Sequence, residues 1–346
     1  MRSLTSGILR LIIVGLLALC GQRAVAQTDG RVLLVGGSSG GSSCLWATVD
    51  QFGVFSTDSG ATSGSPCVYA NADSYVATDA GLLAYNLLKG NTWVIRHDAI
   101  GEGSVSAGPV FSPIWAWLVA VGNYVFLYDG KSNGAIVRIN PDLTVTQTYS
   151  INHVSSWTNV TATGNYLFFY NSQTGVYAVA IIDIAGRLHQ TADGTTQTGF
   201  TNVAASRDTL FFYNRGSGAY QYGAIVGFSN APGSANYDLY TGSTGSIPAG
   251  YTHLVTVNSN LLLYNVLTGA ARVMVLPDSG LPVPTTQTLT LAPYWQFIVA
   301  AANHFLFYNT MTGAVTTGGV DRTGTLTVGP QVMLADGFYN VVATRQ

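Results

Sequence analysis

Charged side chains are scarce in this sequence: they make up 9% of its 346 residues, against about a quarter in an ordinary soluble chain. With 47% of residues apolar, the chain builds a large core and covers it with Ser, Thr, Asn, Gln, Gly and Tyr. Glutamate is almost missing. Glu102 is the only one, and no carboxylate is identifiable as its partner in a glycosidase pair. The net charge of −2 comes without a basic cluster, which excludes nucleic acid as a partner because phosphate backbones require concentrated Lys and Arg. No G-x-S-x-G elbow, Cys-His pairing or H-E-x-x-H is present, so no catalytic residue is assigned. The glycine- and serine-only run at 36–43 lacks the Gly-Lys-Ser/Thr ending of a phosphate loop and reads as a flexible hairpin loop. His97, His153, His189, His253 and His304 fall at unrelated places, so neither a metal site nor a cofactor is expected.

What the chain does contain is a repeat. Tyr85, Tyr128, Tyr170, Tyr213, Tyr264 and Tyr308 each end an aromatic-rich strand and lead into a Gly-closed turn, at intervals of 43, 42, 43, 51 and 44 residues. A period of 40 to 50 with strand-like content marks the blades of a β-propeller. Thirteen residues before five of these tyrosines stands another aromatic: Trp115, Trp157, Phe200, Tyr251 and Trp295. A strand of small residues follows it, such as 159–163, suited to the crowded axis of a propeller. The next strand, such as 166–170, is apolar on both faces, as burial between neighbouring blades requires. Asn-x-x-Thr-Gly then reads as a hairpin turn, because Asn bonds its own downstream backbone and Gly supplies positive φ. Asp98, Asp183, Asp278 and Asp321 read as formers of a second turn rather than as catalytic carboxylates.

The two ends complete each other. Residues 338–346 match an inner strand and then stop, while residues 31–37 carry the apolar second-strand pattern with Val35 in the tyrosine place. The expectation is an all-β, seven-bladed propeller with four-stranded antiparallel blades, one blade shared between a C-terminal inner strand and three N-terminal strands. Cys44 and Cys67 both fall in that blade and are expected to form a disulfide.

Residues 1–26 read as a secretion signal: Arg2 and Arg10 flank the apolar run 11–19, and Ala24-Val25-Ala26 precedes a cut at Gln27. The single propeller domain is then 27–346, secreted or periplasmic. Without the three arginines of the signal, 11 basic side chains face 16 acidic ones. Cys20 offers a lipoprotein alternative, disfavoured by Leu19 before it. After the signal, no apolar run approaches the ~20 residues of a spanning helix.

The F-Y-N-x-x-T-G blades over residues 31–346 resemble a group of bacterial secreted repeat proteins and, more loosely, tachylectin-like propeller lectins. That resemblance implies sugar binding between or on top of blades. Trp157, Trp295, Trp115 and Tyr251 are the candidate stacking platforms, with Asn159, Asn202, His253 and Asn340 as nearby neutral hydrogen-bonding groups. The functional expectation is a non-catalytic, carbohydrate-binding propeller, expected to be a monomer, its partner a glycan or a surface protein. A protein-interaction module is the first alternative and a secreted propeller enzyme the second.

Overall fold

Seven sheets, each of at least four antiparallel strands, make up the protein in this computed structural model. It describes residues 30–344 apart from 39–40, 59–70, 98–102, 153–155, 232–233, 277–286, 322 and 335–336. In six sheets the strands follow chain order from the inside outwards, as in Asn159–Thr163, Tyr166–Tyr170, Val176–Ile182 and Leu188–Thr195. The inner strands touch their neighbours in cyclic order, and the last touches the first. The chain is a seven-bladed β-propeller. Blade 1 has Phe338–Ala343 innermost, followed by Gly30–Ser38, Gly41–Val49 and Phe55–Thr57. Blades 2 to 7 begin at Ser74, Trp117, Asn159, Asn202, His253 and Phe297.

Ring closure is the shared-blade arrangement expected from the termini. Val35 pairs with Asn340, and the Thr344 N–H donates to the Arg31 carbonyl at 2.8 Å, so the C-terminal strand is zipped to the N-terminal one. The glycine- and serine-only run departs from the loop expectation, because both of its arms are strand and Ser38 pairs with Gly41. The 51-residue interval also has a cause. In blade 5 the outer strands Ala219–Ala231 and Ser234–Ser246 are 13 residues each, and the insertion lengthens this hairpin without disturbing the ring.

Each recurrent tyrosine is fully buried, and its hydroxyl explains the period. The Tyr128 hydroxyl accepts the Trp157 N–H at 2.9 Å, and Tyr264 accepts the Trp295 N–H at 3.1 Å. Tyr85, Tyr170, Tyr213 and Tyr308 do the same for Trp115, Phe200, Tyr251 and Phe338. Every tyrosine therefore latches its blade to the aromatic that opens the next. Burial raises the pKa of the Tyr85, Tyr128, Tyr170, Tyr213 and Tyr264 phenols.

The asparagine after the tyrosine works in both directions. Asn171 Oδ1 accepts the N–H groups of Gln173 and Thr174, while its Nδ2 donates to the Ser156 carbonyl at 2.6 Å. Asn214 and Asn265 repeat the pattern. The closing glycine, Gly175, has φ 74°, and a side chain there would strike the Thr196 carbonyl.

Candidate functional site

The inner strands enclose a central channel of about 600 Å³. Its polar lining side chains are Tyr75, Thr161, Thr256 and Asn340, and the remaining lining residues are Ala, Val and Leu. Among the described residues no carboxylate, imidazole or cation lines this wall. The carboxylates, imidazoles and cations nearest the channel stand at its mouths.

The mouth where the inner strands begin is built from two successive repeat positions. At the first stand Asp73, Ala116, Thr158, Thr201, Thr252, Gln296 and Tyr339. Five of these clamp the hairpin turn of their own blade. Thr158, Thr201 and Thr252 hydroxyls accept the N–H groups of Ser172, Arg215 and Val266, Gln296 accepts that of Thr310, and Asp73 Oδ2 accepts that of Leu87 at 2.7 Å. At the second position stand Ser74, Trp117, Asn159, Asn202, His253, Phe297 and Asn340, each opposite the recurrent Tyr of the second strand or, in blade 1, Val35. Three of these side chains are Asn and the other four are Ser, Trp, His and Phe, so the position varies where the tyrosine and the turn glycine recur. All seven are half-buried.

His253 is tied on both sides. Its Nε2 lies 3.0 Å from the Gln296 carbonyl, which can only accept, so Nε2 carries the proton and Nδ1 accepts from the Thr252 hydroxyl at 2.8 Å. Burial lowers its pKa, and Arg215 nearby lowers it further, so the ring is neutral at pH 7. With both nitrogens occupied, His253 positions the rim and is no free base. Arg215 itself is exposed on the turn of blade 5. On the arc formed by blades 1 and 2, burial raises the Tyr339 phenol and the Asp73 carboxylate raises it further, which places these two groups near each other.

The sequence-derived site is thereby split. Asn159, Asn202, His253 and Asn340 do come together around one mouth. Trp115, Trp157, Tyr251 and Trp295 do not join them as platforms: they are 8, 9, 2 and 5% exposed and packed between blades. Trp157 lies 5.6 Å from Phe169, and Trp295 lies 5.9 Å from Phe307, centroid to centroid. Trp295 also lines a hollow of about 340 Å³ with Phe307 and Thr316, away from the channel. Asp73 and Arg215 escaped the sequence reading, although a signal existed. Asp73 occupies a place that Thr takes in three other blades, and Arg215 is the one cation two residues after a landmark tyrosine.

The histidines remain scattered. His189 Nε2 pairs with Asp183 at 2.8 Å on the outer surface, His304 lies at the far end of blade 7, and His153 and the side chain of His97 lie outside the described residues. Among the described residues no three His, Cys, Asp or Glu side chains converge as a metal set. Asp183 and Asp321 are turn formers as expected. Their carboxyls are held below the ordinary range, Asp183 first by the Arg187 N–H and Asp321 first by the Thr323 hydroxyl. Asp98, Asp278, Glu102 and Cys67 lie outside the described residues.

No known family and no curated protein matches the chain. Solved structures do share its fold. A Lactobacillus plantarum protein is 15% identical, with a TM-score of 0.64 over 92% of this chain and 100% of that one. A Bacteroides fragilis protein described as a candidate 6-phosphogluconolactonase is 11% identical, with a TM-score of 0.64 over 94% and 100%. The periplasmic gluconolactonase of Pseudomonas aeruginosa is 14% identical, with a TM-score of 0.60 over 92% and 99%. At such identities the likeness is one of fold. The expectation of a non-catalytic carbohydrate-binding propeller is corrected: among the structures of like fold are proteins named as lactonases.

Proposed function

We propose that the protein is a propeller enzyme that opens a small neutral lactone, such as a gluconolactone, at the channel mouth formed by the inner-strand entrances. The observation that carries this reading is the break in the repeat. Around a scaffold that repeats its tyrosines and turns, the mouth holds three asparagines and one each of Ser, Trp, His and Phe, with the carboxylate of Asp73 and the guanidinium of Arg215 on the same end of the ring. Lactone hydrolysis needs a base to take a proton from the attacking water and donors to hold the carbonyl oxygen as it becomes an oxyanion. The water oxygen bonds to the carbonyl carbon, the ring C–O bond breaks, and a hydroxy acid leaves. Asp73 is the candidate base; Arg215 and the carboxamides of Asn159, Asn202 and Asn340 are the candidate donors, and neutral His253 keeps the rim in place. One arginine is a poor match for a phosphate dianion, which favours a neutral lactone over a phosphorylated one. The signal-like N-terminus and the periplasmic enzyme of like fold support a periplasmic or secreted location.

The test is proton release from glucono-δ-lactone at pH 7, measured above the spontaneous rate. Asp73→Asn and Arg215→Gln should each lower kcat/KM by roughly a hundredfold with melting preserved, in the range of lost general-base and oxyanion contacts. Wild-type protein that does not accelerate the reaction, or variants as active as wild type, would sink the reading.

A further inference from the structure

The turn between the second and third strands of each blade projects at the mouth end, and its tip is the residue two places after the turn asparagine. In blades 2, 6 and 7 that residue is Leu88, Leu267 and Met311, which are 82, 66 and 71% exposed. Blades 4 and 5 make the same turn with Gln173 and Gly216 there, so the fold does not call for an apolar side chain. The tips are held in place: Asn265 Oδ1 accepts the Leu267 N–H at 3.0 Å, and Asn309 Oδ1 accepts the Met311 N–H at 2.9 Å.

Other apolar side chains stand beside them. Leu87 adjoins Leu88, and exposed Val110 precedes Phe111, whose N–H donates to the Gly90 carbonyl of that turn at 2.9 Å. Tyr339 is exposed on the rim of blade 1. Tyr294, 46% exposed, donates its N–H to the Val266 carbonyl at 2.7 Å, next to Leu267. Its φ is 66°, in the left-handed region, where the equivalent residues Gly199, Gly250 and Gly337 carry no side chain. A bulky residue in that conformation is strained, and such strain is retained where the side chain has a task. Among the described residues, the large apolar side chains exposed at this end all belong to blades 6, 7, 1 and 2 or to the connections that leave them.

Charge divides the molecule in the same sense. Exposed Lys89, Lys131 and Arg215 stand in the turns of the mouth end, and Lys131 is itself the tip of blade 3. The carboxylates there, Asp73 and Asp129, accept turn N–H groups, Asp73 that of Leu87 and Asp129 those of Lys131, Ser132 and Asn133. The opposite end carries Asp50, Asp79, Asp142, Asp183, Asp208 and Asp321 in its turns, mixed with arginines. Phe52 and Ile184 are exposed there too, but each lies beside the Asp that begins its turn.

We propose that blades 6, 7, 1 and 2 dock by the mouth end on an anionic phospholipid surface. Leu88, Leu267 and Met311 enter the acyl boundary, Tyr294 and Tyr339 lie among the head groups, and Lys89 and Lys131 meet the lipid phosphates. Tips at equivalent places of a closed ring stand at one level, which suits a plane. Apolar insertion with cations alongside is what gives a peripheral protein its affinity for such a surface, and tyrosine suits the boundary because it joins an apolar body to a polar tip. The same surface repels the carboxylates of the other end. This docking does not rest on the lactonase reading.

The experiment measures flotation of the chain from Gln27 onwards, which contains the whole propeller and leaves out the apolar run 11–19. Wild type should bind vesicles of equal parts phosphatidylcholine and phosphatidylglycerol roughly tenfold more tightly than vesicles of phosphatidylcholine alone. Leu88→Gln, Leu267→Gln and Met311→Gln together install the residue of blade 4, and should weaken binding roughly a hundredfold or more with melting unchanged. Lys89→Gln with Lys131→Gln should remove most of the preference for phosphatidylglycerol, whereas Ile184→Gln at the opposite end should change nothing. No binding by wild type, a triple variant that binds as wild type does, or an equal loss in Ile184→Gln would overturn the proposal. So would a dimeric wild type and a monomeric triple variant in sedimentation, since the face would then belong to a second copy of the chain. Should the triple variant fail to fold, Leu88→Gln alone should weaken binding roughly tenfold, and unchanged affinity would again overturn the site. Every readout is taken without substrate, so a protein that fails to open lactones leaves the test intact.

Discussion

Six of the seven seams between blades carry the same latch, and the seventh does not. Where blade 1 meets blade 2, Val35 stands in the tyrosine place and Ala72 in that of the following aromatic. Both are buried, in a cluster with Leu33, Trp46, Leu82, Ala84 and Ile95. The other six seams join a phenol hydroxyl to a backbone N–H and cover the bond with a large ring. The difference shows what a latch contributes beyond burial. Apolar contact alone closes a seam, since each fully buried large side chain stabilises by roughly 1.5–3 kcal/mol. It has no direction, however, whereas a hydroxyl aimed at one N–H fixes the rotation of one blade against the next. The unlatched seam is also where Cys44 packs, and Cys44 is disulfide-bonded. We propose that its partner is Cys67, five residues before Ala72, so that a covalent staple does at this seam what the tyrosine does elsewhere.

The largest test of the comparison removes the ring itself. Deleting residues 338–346 takes away the inner strand of blade 1 and the N–H that Tyr308 holds. Cooperative thermal unfolding followed by circular dichroism should be lost, and a truncated protein that melts like wild type would show that closure contributes nothing. Next comes the staple. Reduction, or Cys44→Ser, should cost about 3 kcal/mol for a loop of this size in the chain-entropy model. Peptide mapping under non-reducing conditions should join Cys44 to Cys67, and a stability unaffected by reductant would leave the odd seam with no substitute for its latch.

Tyr128→Phe turns a latched seam into one resembling the odd seam. It keeps the ring but leaves the Trp157 N–H unpaired in the core, which should cost about 1–3 kcal/mol in urea unfolding. A loss within error would mean that burial alone, as at Val35, suffices everywhere. The smallest effect is that of pH. Burial lowers the pKa of both His253 and His304, so each binds its proton more readily in the unfolded chain, where the value is about 6.5. Their contribution to stability is complete above that pH and is lost as pH falls through it towards the lowered folded values. Urea midpoints should drop modestly between pH 7.5 and 5, less so in His304→Phe, and a midpoint that rises on acidification would reverse the assigned direction.

Much of the ring was legible from the residues because blade architecture is repeated and local. The spacing of the tyrosines, the Asn and Gly of each turn and the two-sided apolar strands each follow from rules that operate within a few residues, and the incomplete termini pointed to a shared blade. The site was legible only in part. An aromatic thirteen residues before each tyrosine reads equally as a stacking platform or as a wedge, and only its neighbours distinguish the two. Trp157 became core because its ring packs beside Phe169 and in one cluster with Phe126 and Tyr128 of the preceding blade.

By itself, then, the sequence determined the period, the strand content, the number of blades and the pairing of the ends, since these depend on short-range periodicity and on matching one repeat to another. The tertiary structure decided what the repeats leave open. It set which rings face the core and which side chains gather at one mouth. Those outcomes depend on contacts between blades, which bring together residues some 30 to 60 positions apart and, at the closing seam, more than 250 apart.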